Sequence, residues 1–376
     1  MMTKVCHVTS VHTNSDVRIF EKECTSLAKK KEYDVYFVAP GKTFVKNNVN
    51  IVGIGEKPIS RLERFIFFSR KAYKTALDLD AEIYHIHDPE LLRFALKIKK
   101  KGKKVIYDSH EDTVEDISRK DYIPYLLRNV ITKMFKKYLN NVVAKIDAII
   151  TVTPRIVDKF SKVNKNVFLV TNYPIVDSAS IVEKTSMECN ETTTLCFAGG
   201  IDPMWSHEYI LRAINSLDNV KYTLFGAGDE SYLDKLRMLP GWNKVDYRGR
   251  VPFNVVNEEL WNADIGIALC QYVLDKNNEG TLGNTKLFEE MLHALPVIAT
   301  DYTLWAEIVE GEKCGICVNP TDVGQIRDAI VTLIQNPELA KEMGQNGKAA
   351  VIKKYNWCSQ ESILFEVYSI LQGKVM

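Results

Sequence analysis

Long apolar runs are missing from this sequence, and no stretch approaches the ~18 consecutive residues typical of a membrane-spanning helix. The first residues, MMTKVCHVTS, also lack the apolar core of a secretory signal. The eight cysteines are scattered along the 376 residues and do not form the dense frame of a small disulfide-linked domain. These absences predict a cytoplasmic protein whose thiols are reduced.

An excess of charge of either sign is absent as well. Lys and Arg total 49 and Asp and Glu total 48, which leaves a formal net charge of +1 and argues against a nucleic-acid partner. The sequence has no HExxH motif and no Cys/His set at zinc spacing, so we predict neither a metal nor a cofactor. His85 and His87 alternate along a predicted strand and share one face. A structural or substrate-contact role is favoured there over a metal pair.

Two doubly wound α/β domains in tandem are the predicted architecture, because 376 residues exceed the usual size of one hydrophobic core. Short apolar strands alternate with helical patterns, which is typical of parallel sheets covered on both faces. The predicted domains are 1–176 and 195–354, joined by the polar linker 177–194, and 355–376 is a separate amphipathic helix. The predicted strands are 4–10, 34–40, 82–88, 104–110, 147–153 and 167–174, then 195–200, 221–228, 245–251, 264–270, 296–301 and 315–320.

Polar residues of the first domain follow three predicted strands at their carboxyl ends, where sheets of this kind bind ligands. Each group alone also fits a capped helix start, because Asp16 and Ser109 are residue types that cap helices. Their presence at three strand ends favours one shared site in the cleft between the domains. The groups are Thr13, Asn14, Ser15, Asp16 and Arg18, then His85, His87, Asp88 and Glu90, then Asp108, His110, Glu111 and Asp112.

Glycine is frequent in the loops that follow the strands of the second domain. Glycine lets a backbone approach a diphosphate, and helix N-termini offer free N–H groups and a positive dipole end. The segment GAGDES at 226–231 lacks the third glycine of a dinucleotide fingerprint and gives little support to NAD. Lys286, Arg248 and Arg250 are candidate cations for a diphosphate, with solvated surface charge as the alternative. The loop glycines are Gly199, Gly200, Gly226, Gly228, Gly249, Gly280 and Gly283.

An ordered set of segments gives the sequence a family resemblance. They are HVTSVHTNSDVRIFEKECTSLAKK, YHIHDPELL, VIYDSHED, FAGGIDPMWSHEYILRAI, YTLFGAGDE, YRGRV and, most specifically, NTKLFEEMLHALPVIATD. Along essentially its whole length the chain resembles the group 1 (family 4) glycosyltransferases. The resemblance implies the GT-B fold, in which two Rossmann-like domains face a central cleft and a C-terminal helix crosses back to the N-terminal domain. It also implies that the N-terminal domain receives the acceptor and the C-terminal domain binds a nucleotide sugar.

The resemblance implies roles for individual residues as well. His110 matches a histidine that contacts the transferred sugar near the reacting centre. Glu289 matches the second glutamate of an E-x7-E pattern and looks like an acceptor for the ribose hydroxyls, a task that suits a carboxylate. Lys286 then faces the diphosphate, at the start of a helix whose dipole already attracts anions. The loop residues on this donor side are Gly199, Gly200, Gly226, Gly283, Asn284 and Thr285.

Two departures from the family pattern concern the donor side. Thr281 stands where the first glutamate of E-x7-E is expected, and Glu279 or the backbone amides around Gly280 are the candidates to replace it. Where many relatives carry a basic pair after Gly199, this chain has Gly200 and Trp205. The charge of the leaving diphosphate therefore rests on Lys286, on Arg248 or Arg250, and on backbone N–H groups.

The resemblance implies a retaining, metal-independent hexosyl transfer in polysaccharide or glycoconjugate synthesis. The expected donor is a UDP- or GDP-sugar and the expected acceptor is a saccharide or a polyprenyl-linked sugar, with Asp16, Arg18, His87 and Asp88 on the acceptor side. Residues 61–77 and 128–145 are basic and amphipathic. They either rest on the anionic inner face of a membrane, as a peripheral protein would, or pack on the sheet with their lysines in water.

Two other functions fit the same fold. A sugar-nucleotide 2-epimerase would interconvert its nucleotide sugar without an acceptor. A degenerate transferase would only bind sugar nucleotides or scaffold partner enzymes, a reading to which Thr281 and Trp205 lend some support. Release of a nucleoside diphosphate that depends on a glycosyl acceptor distinguishes a transferase from both.

Overall fold

The protein forms two compact units in a computed structural model. Unit 1 comprises Met1–Asn172 and Cys358–Met376, and unit 2 comprises Tyr173–Trp357. The structure describes residues 2–119, 124–176, 192–272 and 278–374. Most of the predicted linker, at 177–191, lies outside the described residues. The C-terminal helix belongs to the same unit as the N-terminal sheet, as the resemblance implies.

Unit 1 is built on an eight-stranded sheet. Its strands are β1 (Thr3–Val8), β2 (Tyr33–Ala39), β3 (Phe44–Lys46), β4 (Val49–Gly53), β5 (Ile83–Ile86), β6 (Lys104–Ser109), β7 (Ala148–Thr151) and β8 (Val167–Leu169). Their order is β3-β4-β2-β1-β5-β6-β7-β8, and only β3 and β4 pair antiparallel among the described strands. The direction of chain progression reverses between β1 and β5, which is where a sheet of this kind opens a ligand crevice.

The sequence analysis missed the β3–β4 hairpin at one edge of this sheet. Asn47 and Asn48 form its two-residue loop with φ of +53° and +60°. Asparagine tolerates this left-handed conformation, and two such residues in succession are typical of the tight turns that join antiparallel strands. The asparagine pair was therefore a usable signal for the hairpin.

The helices of unit 1 cover both faces of the sheet. They are α1 (Thr25–Ala28), α2 (Arg61–Glu63), α3 (Ser69–Asp78), α4 (Leu92–Lys99), α5 (Thr113–Arg119), α6 (Tyr125–Val143), α7 (Pro154–Ser161) and α15 (Trp357–Leu371). π-Helical turns at Val17–Cys24 and Arg64–Phe68 run directly into α1 and α3. Among the described helices, none is long and apolar enough to cross a membrane.

Unit 2 is built on a six-stranded parallel sheet in the Rossmann order β11-β10-β9-β12-β13-β14. Its strands are β9 (Thr193–Ala198), β10 (Val220–Phe225), β11 (Val245–Gly249), β12 (Ile265–Ala268), β13 (Val297–Thr300) and β14 (Gly315–Val318). Its helices are α8 (His207–Ile214), α9 (Glu230–Arg237), α10 (Phe253–Asn262), α11 (Thr285–Leu292), α12 (Thr303–Val309), α13 (Val323–Gln335) and α14 (Pro337–Lys353). β9 and β12 are the neighbours at which the strand order reverses.

Alternating side chains of the strands in unit 2 enter hydrophobic cores on opposite faces of the sheet. Phe197 and Ile267 belong to a core with α8 and α13, whereas Ala268 and Ala299 belong to one with α11 and α12. This alternation follows from the period of two in a strand and requires apolar residues on both sides. Both units are therefore doubly wound, as predicted from the sequence.

Candidate functional site

The polar groups of unit 1 gather at the reversal point between β1 and β5. Asp88 follows β5, and its carboxylate accepts hydrogen bonds from Thr9 Oγ1 at 3.1 Å and Ser10 Oγ at 3.0 Å. Both donors belong to the loop after β1. Farther along this loop, His12 Nδ1 lies 2.9 Å from Asp16 Oδ2. Asp88 of the second predicted group thus fixes the loop after β1, and His12 in that loop contacts Asp16 of the first group.

Asp16 begins the helical segment that carries Arg18. Its Oδ1 accepts a hydrogen bond from Ile19 N at 3.0 Å, which is the cap expected from the sequence. Burial raises the pKa of Asp16, but hydrogen bonds from His12 and Ile19 N outweigh it and lower the pKa to about 2. Burial lowers the pKa of His12, but its hydrogen bond to Asp16 and the neighbouring carboxylates raise it by more, so the pKa lies above its usual value. The acceptor-side role of Asp16 stays a prediction.

His110 and Asp108 form an oriented pair at the end of β6. His110 Nε2 lies 2.8 Å from Asp108 Oδ2, and Arg18 donates from Nε and Nη2 to the two oxygens of the same carboxylate, both at 3.0 Å. Burial raises the pKa of Asp108, but the charge of Arg18 and the contact with His110 bring it well below its usual range. An ionised carboxylate only accepts, so the proton of neutral His110 sits on Nε2 and its Nδ1 carries the lone pair.

The guanidinium group of Arg18 is held by contacts with several neighbours besides Asp108. It is 5% exposed, and its remaining contacts are Val170 O at 3.0 Å and Glu23 Oε1 at 3.2 Å. A direct contact between Arg18 and an acceptor would require these bonds to break. The predicted acceptor-side role of Arg18 stays a prediction, and the geometry gives Arg18 the task of holding Asp108 beneath His110.

A buried group of imidazoles adjoins this pair. His7 Nδ1 is 3.0 Å from His87 Nε2, and Tyr368 Oη is 3.1 Å from His7 Nε2 and 2.9 Å from His85 Nδ1. The His85 and His87 rings have centroids 4.5 Å apart, which confirms that they share a face. Burial lowers the pKa of His87 to about 4, and it lowers the pKa values of His7 and His85 well below their usual range. All three are therefore neutral at pH 7.

Glu23, like His7 and Tyr368, is a residue of this region that was not predicted from the sequence. It is fully buried and lies on the same side of its helical segment as Arg18. In an α-helix, residues five apart point about 140° away from each other, whereas a π-helix brings them nearly into line. Val17–Cys24 is π-helical. Burial, followed by the charge of Asp108, raises the pKa of Glu23 well above its usual range, and Arg18 offsets part of this.

Lys286 is the charged centre of the candidate donor site in unit 2. Its Nζ lies 3.8 Å from the centroid of the Trp205 ring, and its Cε passes so close to Gly199 that a Cβ there would be 2.1 Å away. Burial lowers the pKa of the amine, and the nearby Glu290 offsets part of this. The Trp205 ring thus supports the Lys286 ammonium group through a cation–π contact.

The loops after β9, β10 and β11 meet beside Lys286 through glycine backbone. Gly226 has φ of +131°, and a Cβ there would lie 1.6 Å from Gly199 O. Gly199 N donates to Phe225 O at 3.0 Å, and Gly226 N donates to Gly249 O at 2.8 Å. A Cβ on Gly200 would meet open space. Only glycine fits at 226, and the loops leave room for a ligand at Gly200.

Asn284 starts α11 and sets the backbone of Lys286. Asn284 Oδ1 accepts from Lys286 N at 3.1 Å, while its buried Nδ2 has no hydrogen-bond partner among the described residues. The preceding turn is closed by Gly283 N donating to Thr281 Oγ1 at 3.0 Å, and Trp305 Nε1 donates to Thr281 O at 2.8 Å. Thr281 therefore supports the turn, and the structure does not choose what replaces the expected glutamate.

The two glutamates of α11 point into different surroundings. Glu289 is half-buried, and its ribose-binding role stays a prediction. Glu290 is 2% exposed and packs on the sheet against Gly266. A Cβ on Gly266 would lie 2.8 Å from the Cβ of Glu290. Burial raises the pKa of Glu290 well above its usual range, and Lys286 offsets part of this rise. The raised pKa of Glu290 weakens its ability to neutralise Lys286, which leaves the charge of Lys286 available to an anion.

The remaining predicted donor-side residues lie nearer to solvent. Arg248 is exposed and bidentate to Asp246, with both N–O distances at 2.8 Å, so its charge is already partly neutralised. Arg250 is exposed, Thr285 is half-buried at the start of α11, and Glu279 is half-buried in the loop before it. Their donor-side roles stay predictions.

Two family models match the chain, one within each unit. A model described as Glycosyltransferase Family 4 matches residues 17–172, and a model described as Glycosyl transferases group 1 matches residues 192–336. The first range contains His110 and the second contains Lys286 and Glu289. The chain belongs to the group 1 glycosyltransferases.

This group 1 glycosyltransferase is 24% identical over 371 residues to an uncharacterised glycosyltransferase of Methanocaldococcus jannaschii, and the match covers 88% of each chain. Its fold is similar to that of sucrose-phosphate synthase from Thermosynechococcus elongatus, with a TM-score of 0.73, 13% identity and coverage of 99% and 100% of the two chains. It is also similar to Anabaena HepE, solved with UDP and glucose, with a TM-score of 0.70, 12% identity and coverage of 98% and 100%. The GT-B fold predicted from the sequence is thereby confirmed.

Proposed function

We propose that this glycosyltransferase binds a nucleotide sugar in unit 2 and transfers its hexosyl group, with retention, to a saccharide or polyprenyl-linked acceptor received by unit 1. The observation that carries the proposal is the half-buried side chain of Lys286, whose amine is held 3.8 Å from the Trp205 centroid beside Gly199. A partly desolvated ammonium group is costly without an anion, and a diphosphate supplies one. UDP is the preferred nucleotide, because a structural relative was solved with UDP and glucose.

In the proposed step, the bond between the anomeric carbon and the diphosphate oxygen breaks with its electron pair leaving on the diphosphate. The acceptor oxygen bonds to the same face of that carbon and passes its proton to a diphosphate oxygen. Lys286 and the backbone N–H groups of the 199–200 and 283–285 loops stabilise the negative charge that develops. In this scheme they take the place of a divalent ion, so the transfer proceeds without metal at the diphosphate.

His110 is proposed to contact the transferred sugar. Its Nε2 proton is committed to Asp108, so the Nδ1 lone pair is the atom able to accept a hydrogen bond from a sugar hydroxyl. Asp108 and Arg18 keep the ring in this tautomer and orientation. Glu289 is proposed to accept the ribose hydroxyls, in agreement with the family resemblance.

We further propose that part of unit 1 meets an anionic membrane surface, as a lipid-linked acceptor would require. Phe68, Ala72 and Ala76 pack into the core, whereas Leu62 and Phe67 are 68% and 69% exposed. Arginine and lysine residues interleave with these apolar groups. A surface of this composition suits the boundary of lipid headgroups and acyl chains. Other exposed apolar residues here and on α6 are Ile59, Phe65, Ile66, Leu127, Val130 and Met134.

Acceptor-dependent release of nucleoside diphosphate tests the reaction. A thermal-shift screen of UDP-, GDP-, ADP- and dTDP-sugars first selects the donor by the rise in Tm, which follows from binding to the folded state alone. We expect diphosphate release from that donor to require a saccharide or polyprenyl-linked acceptor. Interconversion of the nucleotide sugar without acceptor would instead indicate an epimerase, and binding without either reaction would indicate a non-catalytic protein.

Vesicle sedimentation tests the membrane proposal separately. The protein should sediment with vesicles that contain anionic lipid and remain in solution with purely zwitterionic vesicles. The double variant Leu62→Glu/Phe67→Glu should lose the binding, whereas Met238→Glu, which changes an exposed apolar residue of unit 2, should retain it. Equal sedimentation of all three proteins would contradict the assignment of this surface.

A further inference from the structure

Three imidazoles and a carboxylate converge inside unit 1. Glu23 Oε2 lies 3.8 Å from His7 Nδ1 and 3.9 Å from both His85 Nδ1 and His87 Nε2. The ligand atoms of these four residues all lie within 4.8 Å of one another, and none of the side chains is more than 3% exposed. The four residues come from β1, from the π-helical turn, and from β5 and the residue that follows it. Their convergence is therefore a product of the tertiary fold.

The carboxylate in this group lacks a hydrogen-bond donor within the part of the chain that the structure describes. Among the described residues, nothing donates a hydrogen bond of good geometry to either oxygen of Glu23, and His85 Nε2 has no partner either. Arg18 Nε is 3.2 Å from Glu23 Oε1, yet its N–H is directed at Asp108 Oδ2, 3.0 Å away. Burying a carboxylate in this way costs several kcal/mol unless it is protonated or shares a cation.

We propose that His7, Glu23, His85 and His87 bind one divalent transition-metal ion, for which Zn²⁺ is the best match. Nitrogen and carboxylate oxygen are preferred ligands of zinc, and tetrahedral bonds of about 2.0–2.1 Å place neighbouring ligand atoms about 3.3 Å apart. His7 Nδ1 and His87 Nε2 are 3.0 Å apart, Glu23 Oε2 lies 3.8–3.9 Å from the three imidazole nitrogens, and all four ligand atoms lie within 4.8 Å of one another. The ligand atoms therefore already surround one position, and the side chains must move closer to it to complete a tetrahedral shell.

Two of the three imidazoles already have the outer partners that a zinc site needs. His87 Nδ1 is 3.3 Å from Asp108 Oδ2, and His7 Nε2 is 3.1 Å from Tyr368 Oη. Metal-binding histidines typically donate their second N–H to such groups, which fixes their orientation. An ion at this position links Tyr368 on α15 to Asp108, which in turn orients His110.

The ion is structural, because the protein supplies four ligands and no side chain of the set opens to solvent. It takes no part in the proposed transfer, and the inference does not depend on that proposal. The expectation of a metal-free protein came from the lack of a local zinc motif. The proposed ligands lie in separate segments, so no motif of fixed spacing predicts the site.

Metal content and metal uptake test the site in the full chain, purified without a polyhistidine tag. Mass spectrometry should find about one Zn²⁺ per chain, and the chelator-stripped protein should bind Co²⁺ with the intense visible absorption of a tetrahedral site. Tyr368→Phe should weaken Co²⁺ binding by about 10-fold or more, and Glu23→Gln should weaken it further. X-ray absorption of the zinc-loaded wild type should show only nitrogen and oxygen ligands, a readout independent of any variant.

A second candidate group in the same unit supplies the control. His87, Asp108 and His110 also lie close enough to share an ion. His110→Gln should keep full Co²⁺ affinity if the ion sits on the proposed residues. Loss of the ion in His110→Gln but not in Glu23→Gln, a sulfur ligand in the absorption spectrum, or no uptake of Zn²⁺ or Co²⁺ by the stripped wild type would each overturn the proposal.

Discussion

The sites of unit 1 and unit 2 lie at corresponding ends of similar sheets, but different chemical groups line them. In unit 1, ionisable side chains are buried against one another, and the Arg18–Asp108 pair holds His110 through bonds of 2.8–3.0 Å. In unit 2, glycine backbone lines the loops, and the amine of the half-buried Lys286 lies over the Trp205 ring. The first site is neutralised internally, whereas the second holds a cation available to a ligand.

This difference matches the tasks that we propose for the two units. A group that positions a neutral sugar needs a fixed tautomer and orientation, which buried charge pairs provide. A group that neutralises a departing diphosphate must remain uncommitted until that charge arrives. The comparison therefore predicts that unit 1 loses stability when its charges are removed, and that unit 2 loses function instead.

The largest effect is expected for Asp108→Asn in unit 1. Removal of this charge leaves Arg18 buried beside a weaker partner, so the free energy of unfolding of unit 1 should fall by about 3 kcal/mol. Asp246→Asn in unit 2 is the matched control, because its partner Arg248 is exposed and the loss should stay below about 1 kcal/mol. Urea denaturation measures both. Equal losses would erase the distinction between a buried and an exposed pair.

Lys286→Ala should lower activity much more than stability. Turnover should drop by ~10²-fold or more because the leaving diphosphate loses its cation, while stability should change little. Lys348→Ala is the control, since Lys348 lies 4.7 Å from the centroid of Trp261 in the same unit and has no proposed role in donor binding. Steady-state kinetics with the selected donor decide the matter. Near-normal turnover of Lys286→Ala would contradict its role.

A pH dependence should distinguish Asp16→Asn from the wild type. Asparagine keeps the helix cap but not the charge, and the folded-state pKa of Asp16 is lowered from 3.8 to about 2. A lowered pKa stabilises the fold above the unfolded value of 3.8 by about 2 kcal/mol, and the benefit fades as the pH falls from 3.8 toward 2. Urea midpoints of both proteins at pH 7 and pH 3 measure this. A difference that does not shrink at pH 3 would contradict the assigned charge state.

The smallest effect is expected for Gly199→Ala. The new methyl group would collide with the Lys286 side chain and displace the amine, which should weaken nucleotide-sugar binding by about 10-fold through loss of a charge-assisted bond. Gly324→Ala is the control, because a methyl group there would meet only Asp322 Oδ1, at 3.2 Å, and no residue proposed to bind the donor. Calorimetric titration of both variants gives the comparison. Equal affinities would show that the contact at Gly199 does not position the lysine.

Much of this fold could be predicted from the sequence. Apolar strands alternating with helices specified both sheets, because period-two burial and short βα connections leave a strong pattern. The hairpin at Phe44–Gly53 escaped because its strands are short and β3 is exposed. The positions of Asp16, Asp88 and His110 after strands, and of Lys286 at the start of a helix, could also be predicted from the sequence.

The partners of these side chains were not readable. Glu23 lies beside Arg18 because the segment that contains both is π-helical. Residue propensities do not predict a π-helix. Tyr368 reaches His7 from the far end of the chain. Trp205 was identified as a missing cation, whereas its contact with Lys286 depends on loop geometry that appears only in three dimensions.

Binding of a nucleoside diphosphate and the corresponding monophosphate to the wild type and to Lys286→Met tests the central claim most directly. If Lys286 faces the diphosphate, the variant should lose about 10-fold or more in affinity for the diphosphate, as expected for a charge-assisted bond, and much less for the monophosphate. Isothermal titration calorimetry with the nucleotide selected by the thermal-shift screen provides the four dissociation constants. Equal losses for the two nucleotides, or no loss for either, would contradict the account.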